Sequence, residues 1–544
     1  MQTHKYISII FSLMLLWLGT WLVGCSGDDG IDASFDGGTG ECYIQLNLST
    51  NTKSSTRASE HPYGGETGDG TEQGRNHEND INNINIFIYN STIGVNDAEN
   101  TEIKFAKYFS YLDLIEIVAG EEYETKPMLV RGYKPAPNDR IIVLVNMGDM
   151  TETVDADHNK TITLGEVRNA MVNSAWGVSG TSIKDYYNFA MASAIDNTTE
   201  GTVNVSAAGT YAEPFSANVT VERVAARIDF CFDKAQTASS YRNPIVYDVE
   251  GTSDKFRLSH IRIVNGSQMP TFTLKRTATT VSPSLTGITY LGDETVATGT
   301  TIPTNYVVEP TTHLKNASTP ISSANLTTWF GASSLMESLD KSFLASSAYK
   351  VHSTATDEEV FEADGNYCYT LGYVMENTMD KSSSNNVNLM TAIEIKGTYI
   401  PATVYKWDEG TNNIIADGTY AAGNDFWYYD NHTTPANSYA FSSEADLLTY
   451  ASKHTGIDYE MRHYVNGECY YYVWIRHAMF DEPTYPTGTY PMEFGIVRNN
   501  IYRIHVGKVM KLGPATPTPE VPDLLYSHIH VRKWRFRAHK EIFL

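Results

Sequence analysis

Hydrophobic and polar positions alternate along most of this chain with a period of two, and helical spacing is confined to a few short windows. The first clear case is ECYIQLNLST, residues 41–50, where Ile44, Leu46 and Leu48 fall on one side and Tyr43, Gln45 and Asn47 on the other. INNINIFIYN (81–90) repeats the pattern with Ile84, Ile86 and Ile88, whereas RIIVLVNMGDM (140–150) is a continuous apolar run of the sort buried on both faces. VTVERVAARIDFCF (219–232) predicts one long half-buried strand and a bridge into a second domain. Val224, Ala226, Ile228, Phe230 and Phe232 take its inner side, and Arg223, Arg227 and Asp229 its outer side. KFRLSHIRIVN, NYVVEP, NVNLMTAIEIKGTYI, CYYYVWIRH and NNIYRIHVGKVMKL follow, each bounded by Gly, Pro, Asn or Ser. Helices are predicted in TLGEVRNAMV, ANLTTWFGASSLMESLD and EADLLTYASKH. Many short strands with isolated helices predict a mainly β chain of β-sandwiches with a few inserted short helices. At 544 residues, two domains are expected, each large enough for its own core.

Both ends depart from this pattern. The start carries His4 and Lys5, an apolar run from Ile9 to Val23, and then Leu22-Val23-Gly24-Cys25, which is a secretory signal ending in a lipobox. The thiol of Cys25 is the expected acylation site after cleavage before it. A transmembrane anchor is the rival, but the run is short for a span of about 20 residues and ends at small residues. After the strand at 41–50, the stretch Ser49 to Gly70 is Ser, Thr, Gly, Glu and Asp with almost nothing apolar, and Arg57 stands within it. At the other end GIVRNNIYRIHVGKVMKLG offers Ile501, Ile504, Val506 and Val509 for packing. GPATPTPEVPD then places four prolines in eleven residues, a stiff extended spacer. The last run, LLYSHIHVRKWRFRAHKEIFL, lines Leu525, Ile529 and Val531 on one face. After Lys533 the phase switches to Trp534, Phe536 and Ala538, which suggests a bulge or two short strands in series. The pattern allows this strand either to project from its domain or to fold back onto its own sheet.

Charge and composition narrow the class. Lys plus Arg at 40 against Asp plus Glu at 64 gives a net charge of −24, which disfavours nucleic acid and anionic lipid as partners. Aromatics at 12%, with 35 tyrosines among them, suit strands and turns. The five cysteines, Cys25, Cys42, Cys231, Cys368 and Cys469, are too scattered for a disulfide framework and form no C-x-x-C pair. At most one bridge is conceivable, for example Cys368 with Cys469, and the spacing does not decide among Cys231, Cys368 and Cys469.

Each motif that invites chemistry has a plainer rival. DADHNKTITLGE places Asp155, Asp157, Asn159, Thr161, Ile162 and Glu166 at positions 1, 3, 5, 7, 8 and 12 of a calcium loop, but Lys160 occupies position 6, where the sharp turn needs glycine. The favoured alternative is a solvated loop entering a helix capped by Thr163, with Glu166 completing a capping box. His528 and His530 share a strand face without a third ligand implied by spacing, so exposed strand histidines are the better account. The tyrosines of CYYYVWIRH could stack sugar rings, but strand aromatics more often pack core and edge. No nucleophile elbow, H-E-x-x-H, phosphate loop or dinucleotide fingerprint occurs in the sequence. The expectation is no enzyme, no cofactor and no metal.

Taken together, the two ends describe β-strand complementation: a removable first strand leaves an apolar groove, and a projecting last strand fills the groove of a neighbour. Large apolar side chains at about 1.5–3 kcal/mol each would hold the joint, against about 1–2 kcal/mol per residue to order the backbone. A head-to-tail contact that does not close makes a filament.

The lipobox ending at Cys25, the Arg57-Ala58 junction, NINIFIYN, IIVLVNMGDM, VTVERVAARIDF, YYYVWIRH, VRNNIYRIHVGKVMKLG and HVRKWRF occur in this order along nearly the whole length. In these motifs the chain resembles the fimbrillins of Bacteroidales type V pili, and within them the Mfa-type, minor or short fimbrium, subunits. Asp28 and Asp29 behind the cysteine also resemble the surface-export signal of Bacteroidetes lipoproteins. The resemblance implies two tandem transthyretin-like β-sandwich domains and export to the cell outer membrane as a lipoprotein, with a lipid such as palmitate on Cys25. It implies a signal peptide (1–24), a propeptide with the first strand and cleavable tether (25–57), an N-terminal domain (58–232), a C-terminal domain (233–512), and a spacer with a donor strand (513–544). A trypsin-like maturation protease would cut between Arg57 and Ala58, with Lys53 as a competing basic site. The last strand, with Ile529, Val531, Trp534 and Phe536, would be donated to the next subunit. Partners implied are other copies of the chain, related tip and anchor subunits, and a host or bacterial surface receptor, in support of adhesion and biofilm formation. Left uncut, the protein would instead be a non-polymerising surface lipoprotein: a fimbrial anchor or tip, or a receptor for glycan or host protein.

Overall fold

The structure is a computed structural model. It describes residues 40–50, 71–91, 97–110, 116–117, 122–155, 161–179, 185–194, 201–232, 245–267, 270–279, 288–290, 305–312, 341–342, 351–352, 360–363, 366–378, 389–477, 494–517 and 525–535. Period-two stretches become strands. In the first part of the chain these are β1 (Cys42–Thr50), β2 (Thr71–Gln73), β3 (Asn83–Asn90), β4 (Ile103–Ser110), β5 (Glu122–Glu124), β6 (Met128–Val130), β7 (Asp139–Val145), β8 (Met191–Ser193) and β9 (Phe215–Arg223). All but β2 belong to one ten-stranded sheet, ordered β4-β3-β7-β8-β9-β1-β5, with β6 pairing the start of β1. One face of this sheet buries Ile84, Ile86, Ile88, Val143 and Val145 with Ile44, Leu46 and Leu48 in a single hydrophobic cluster. The other face of β3 and β7 is also covered. Phe87, Tyr89, Ile142 and Leu144 pack there with Leu164 and Val167 of helix α1 (Leu164–Asn169). β7 is thus buried on both faces, as its unbroken apolar run predicts.

The rest of the chain supplies β10 (Ala225–Phe232), β11 (Lys255–Val264), β12 (Asn366–Met375), β13 (Ala392–Ile400), β14 (Glu468–Trp474), β15 (Asn500–Val509) and β16 (Leu525–Arg535). A seven-stranded sheet begins β2-β16-β15-β10-β12, and a five-stranded sheet contains β11-β13-β14. Ile228 and Phe230 of β10 and Ile504 and Val506 of β15 meet Phe256 and Ile261 of β11, Ile395 of β13 and Tyr471 of β14 in one cluster, so these two sheets pack face to face as a sandwich. A separate five-stranded sheet within residues 405–464 carries helix α2 (Glu444–Lys453), which buries Leu447 and Tyr450 against Tyr429 and Phe441.

Stretch 219–232 is not the single strand its alternation predicts. It breaks at Val224 into β9 and β10, which belong to different sheets. Val219 and Val221 therefore enter one core, and Ala226 and Ile228 the other. α1 begins as predicted: Thr163 Oγ1 accepts from Glu166 N, and the Glu166 carboxylate accepts from Thr163 N, a complete capping box. Glu166 is thereby engaged at the helix start, and residues 156–160 of the calcium-loop pattern lie outside the described residues. Cys231 of β10 and Cys368 of β12 are cross-strand partners and form a disulfide, while Cys42 and Cys469 are buried free thiols. The Cys368–Cys469 pairing is thus corrected: Cys469 sits on the opposite sheet, in register with Gly397. The helix predicted over 324–340 lies outside the described residues. Among the described residues no helix is long and apolar enough to cross a membrane.

Candidate functional site

β1 is the first described strand, yet it lies inside its sheet. It runs parallel to β9, with Ile44 opposite Phe215, Leu46 opposite Ala217 and Leu48 opposite Val219, and antiparallel to β5 and β6 on its other edge. Ile44, Leu46 and Leu48 have no exposed surface. At about 1.5–3 kcal/mol for each large apolar side chain, these three hold the strand by roughly 5–9 kcal/mol. Polar contacts fix the register: Leu46 N donates to Thr125 Oγ1, Thr125 N to Leu46 O, and Gln45 Nε2 to Thr125 O, each at 2.9 Å. At the start, Tyr43 N donates to Gly209 O at 2.9 Å. The Cys42 thiol is raised above its ordinary pKa by burial, against the charge of Lys134, so it packs as a small apolar group. Withdrawal of β1 would open a slot walled by Phe215, Ala217 and Val219 on one side and Met128 and Val130 on the other.

At the opposite end, β16 folds back antiparallel on β15. Of the two dispositions its pattern allows, this one is adopted. Register places Ile529 opposite Ile504 and Val531 opposite Tyr502, both partners being core-facing, while Trp534 is paired in register with Glu72 of β2. Phe536 lies outside the described residues, as do Cys25, Arg57 and Ala58. The spacer starts as packed chain rather than a free rod. Tyr470 N donates to Pro514 O at 3.0 Å, Tyr464 Oη to Gly513 O at 2.8 Å and Tyr471 Oη to Lys511 O at 3.0 Å. A Cβ at Gly513 would lie 2.2 Å from Tyr470 O, so glycine is required for this approach. Of the CYYYVWIRH aromatics, Tyr471 is core, whereas Tyr470, Tyr472 and Trp474 alternate to the partly exposed side.

Between these ends lies a buried ionic cluster that sequence reading missed. Arg223, Arg227 and Asp229, expected on a solvated face, are fully buried. Segment 71–79 covers them. Arg227 pairs with Glu72 at 2.6 Å, Glu78 at 3.1 Å and Asp229 at 3.0 Å, and Arg503 pairs with Glu72 at 2.6 Å. Tyr373 Oη donates to Glu78 at 2.5 Å, and Arg223 Nε donates to the Glu78 carbonyl at 2.9 Å. The guanidinium groups of Arg75, Arg227 and Arg503 all lie over the Phe361 ring. Burial alone would raise the Glu78 pKa, but the charges of Arg227, His77 and Arg75 and the Tyr373 hydrogen bond outweigh it and hold the carboxyl at about 2. Burial lowers Arg223 to about 10 despite Glu78. The signal available in the sequence was three charges on one side of an otherwise apolar strand, a set that is stable either in water or, once buried, only with opposite charge against it.

Residues 462–538, which take in β14, β15 and β16, match the family described as "Major fimbrial subunit protein type IV, Fimbrillin, C-terminal". This segment is fimbrillin-like. The fimbrillin-like segment holds Arg503 of the cluster, the start of the spacer and the whole of β16. Among solved structures, the chain aligns with the tip fimbrial protein Mfa3 from Porphyromonas gingivalis with C-terminal truncation, 11% identical at a TM-score of 0.35, over 91% of this chain and 100% of that one. A fimbrilin (fimA) from Porphyromonas gingivalis W83 aligns at 13% identity and a TM-score of 0.34, over 91% and 98%. Among curated proteins none matches the chain.

Proposed function

We propose that this protein is a structural subunit of a cell-surface fimbria. In this account it is exported as a lipoprotein on Cys25, cut after Arg57, and polymerised head to tail when the C-terminal strand of one copy enters the slot left by β1 of the next. The supporting observation is the placement of β1: first among the described strands, interior in its sheet, and followed by the polar tether that carries Arg57. A strand seated there holds three fully buried apolar side chains, and its loss leaves backbone groups of β9 and β5 to be satisfied by an incoming strand. The fimbrillin-like segment supports the same reading. We assign the chain to two β-sandwich domains that meet at Val224 rather than at the 232/233 boundary expected from the sequence, a reading supported by the pairing of β10 with β12 and β15. No enzymatic role is proposed. Partners are other copies and related fimbrial subunits at the cell surface, in a shaft role with adhesion as its outcome.

The fold-back of β16 favours a second reading, a non-polymerising surface lipoprotein that keeps both strands, with Tyr470, Tyr472 and Trp474 at its surface. A peptide of residues 525–544 added to the trypsin-matured chain separates the two. The first reading predicts a raised melting temperature and suppressed oligomer growth. No effect of the peptide on a chain shown by mass to start at Ala58 would favour the second.

A further inference from the structure

β2 is three residues long and lies along the edge of β16 away from β15, in parallel register: Thr71 with Lys533, Glu72 with Trp534, Gln73 with Arg535. So short a pairing does not hold a strand by itself. What fixes β2 is ionic. One Glu72 carboxylate oxygen meets Arg227 of β10 and the other meets Arg503 of β15, both at 2.6 Å, and both arginines are essentially without exposure. In the sheet order β2-β16-β15-β10, both arginines lie beyond β16, so the ion bridge passes across a face of β16. The turn that follows β2 is fixed as well. Glu78 accepts from Arg75 N at 2.6 Å, from Tyr373 Oη at 2.5 Å and from Arg227. Arg75 Nη2 donates to Thr370 Oγ1 at 2.7 Å, and Asn79 Nδ2 to Arg75 O at 2.8 Å. β16 is therefore bordered on one edge by β15, on the other by β2, and crossed by the Glu72 bridge.

We propose that residues 71–79 form a clasp that keeps the C-terminal strand on its own subunit, with Glu72 as its catch. This rests on the reading of β16 as the donor strand, and adds to it that the donor is restrained by the subunit's own chain just downstream of the cut at Arg57. The clasp survives maturation, so cleavage alone does not free β16. Release occurs when Glu72 leaves Arg227 and Arg503, and these two arginines then stand beside Asp229 with one carboxylate fewer.

The test is hydrogen–deuterium exchange by mass spectrometry on the full, uncut chain, comparing wild type with Glu72→Gln and, as a control, Glu468→Gln, whose partner Lys396 is on the far sheet. Loss of charge-assisted bonds predicts roughly tenfold or faster exchange across 525–535 in Glu72→Gln, with β11 and β13 unchanged and the control like wild type. Unchanged exchange at 525–535 in a folded Glu72→Gln chain would overturn the clasp. Should that variant lose its fold, Thr71→Cys with Lys533→Cys ties β2 to β16 instead. The tied, trypsin-cut chain is expected to form no oligomer ladder until mild reduction, and a tied chain that assembles like wild type would also overturn it. Faster exchange in Glu72→Gln together with no assembly in any variant would support the clasp and count against the donor role alone.

Discussion

Glu78 has no exposed surface and keeps its charge because Arg227, His77, Arg75 and the Tyr373 hydroxyl surround it. Its folded pKa of about 2 lies below the ordinary 4.5 of a free glutamate, so its contribution is complete above that ordinary value and is lost as pH falls toward 2. The difference corresponds to about 3 kcal/mol. Melting temperature measured from pH 6 down to pH 2.5 should therefore fall steeply below about pH 4.5. Glu78→Gln should flatten that part of the profile while lowering stability at neutral pH by about 3–5 kcal/mol, because Arg227 and Arg75 are left with less opposing charge. A profile unchanged by the substitution would show that another acid controls this range. Thr163→Ala, which removes one half of the capping box, should cost only about 1 kcal/mol.

At the scale of elements, what was legible depended on how local the determinant is. The alternation of Ile44, Leu46 and Leu48 marks the buried side of β1, and Thr163 with Glu166 marks the start of α1, because each signal lies within a few residues. The break at Val224 has a sequence mark that a single-strand reading passes over: apolar positions are odd at Val219 and Val221 and even from Val224 to Phe232, a phase shift across Glu222-Arg223, with no glycine or proline to show a change of sheet. The burial of Arg227 was hidden for a different reason, since its partners Glu72 and Glu78 come from a segment far upstream with no strand pattern of its own. The Cys231–Cys368 bridge follows from the register of β10 on β12, which spacing alone does not fix. It closes a loop of 137 residues, so Cys231→Ser with Cys368→Ser should lower stability by about 2–5 kcal/mol in chemical denaturation. Leu46→Ala gives a sharper test of β1. It should cost about 2–5 kcal/mol in the chain that still contains β1, through the cavity left beneath it. It should cost nothing in a preparation beginning at Ala58, and an equal loss in both would mean that β1 stays bound after cleavage.

For the whole molecule, two features at opposite ends of the sequence give the protein a polarity. β1 fills an interior slot in one sheet, and β16, the last described strand, lies on another sheet between β15 and β2. In the proposed assembly, exchange of the second for the first would join copies in one direction only, and a joint that repeats without closing yields a fibre rather than a ring. Side-chain links join residues of the two assigned halves: Lys275 with Glu222 at 3.4 Å, Arg503 with Glu72 at 2.6 Å, and Tyr373 Oη donating to Glu78 at 2.5 Å. The most direct test is the N-terminal sequence and intact mass of the protein taken from the cell surface, with denaturant-resistant oligomers resolved beside it for the full chain and for a chain lacking residues 525–544. The account predicts a first residue of Ala58, no lipid, a ladder of oligomers for the full chain and none for the shortened one. A chain that still begins at an acylated Cys25, runs as a monomer and behaves the same without its last strand would contradict it.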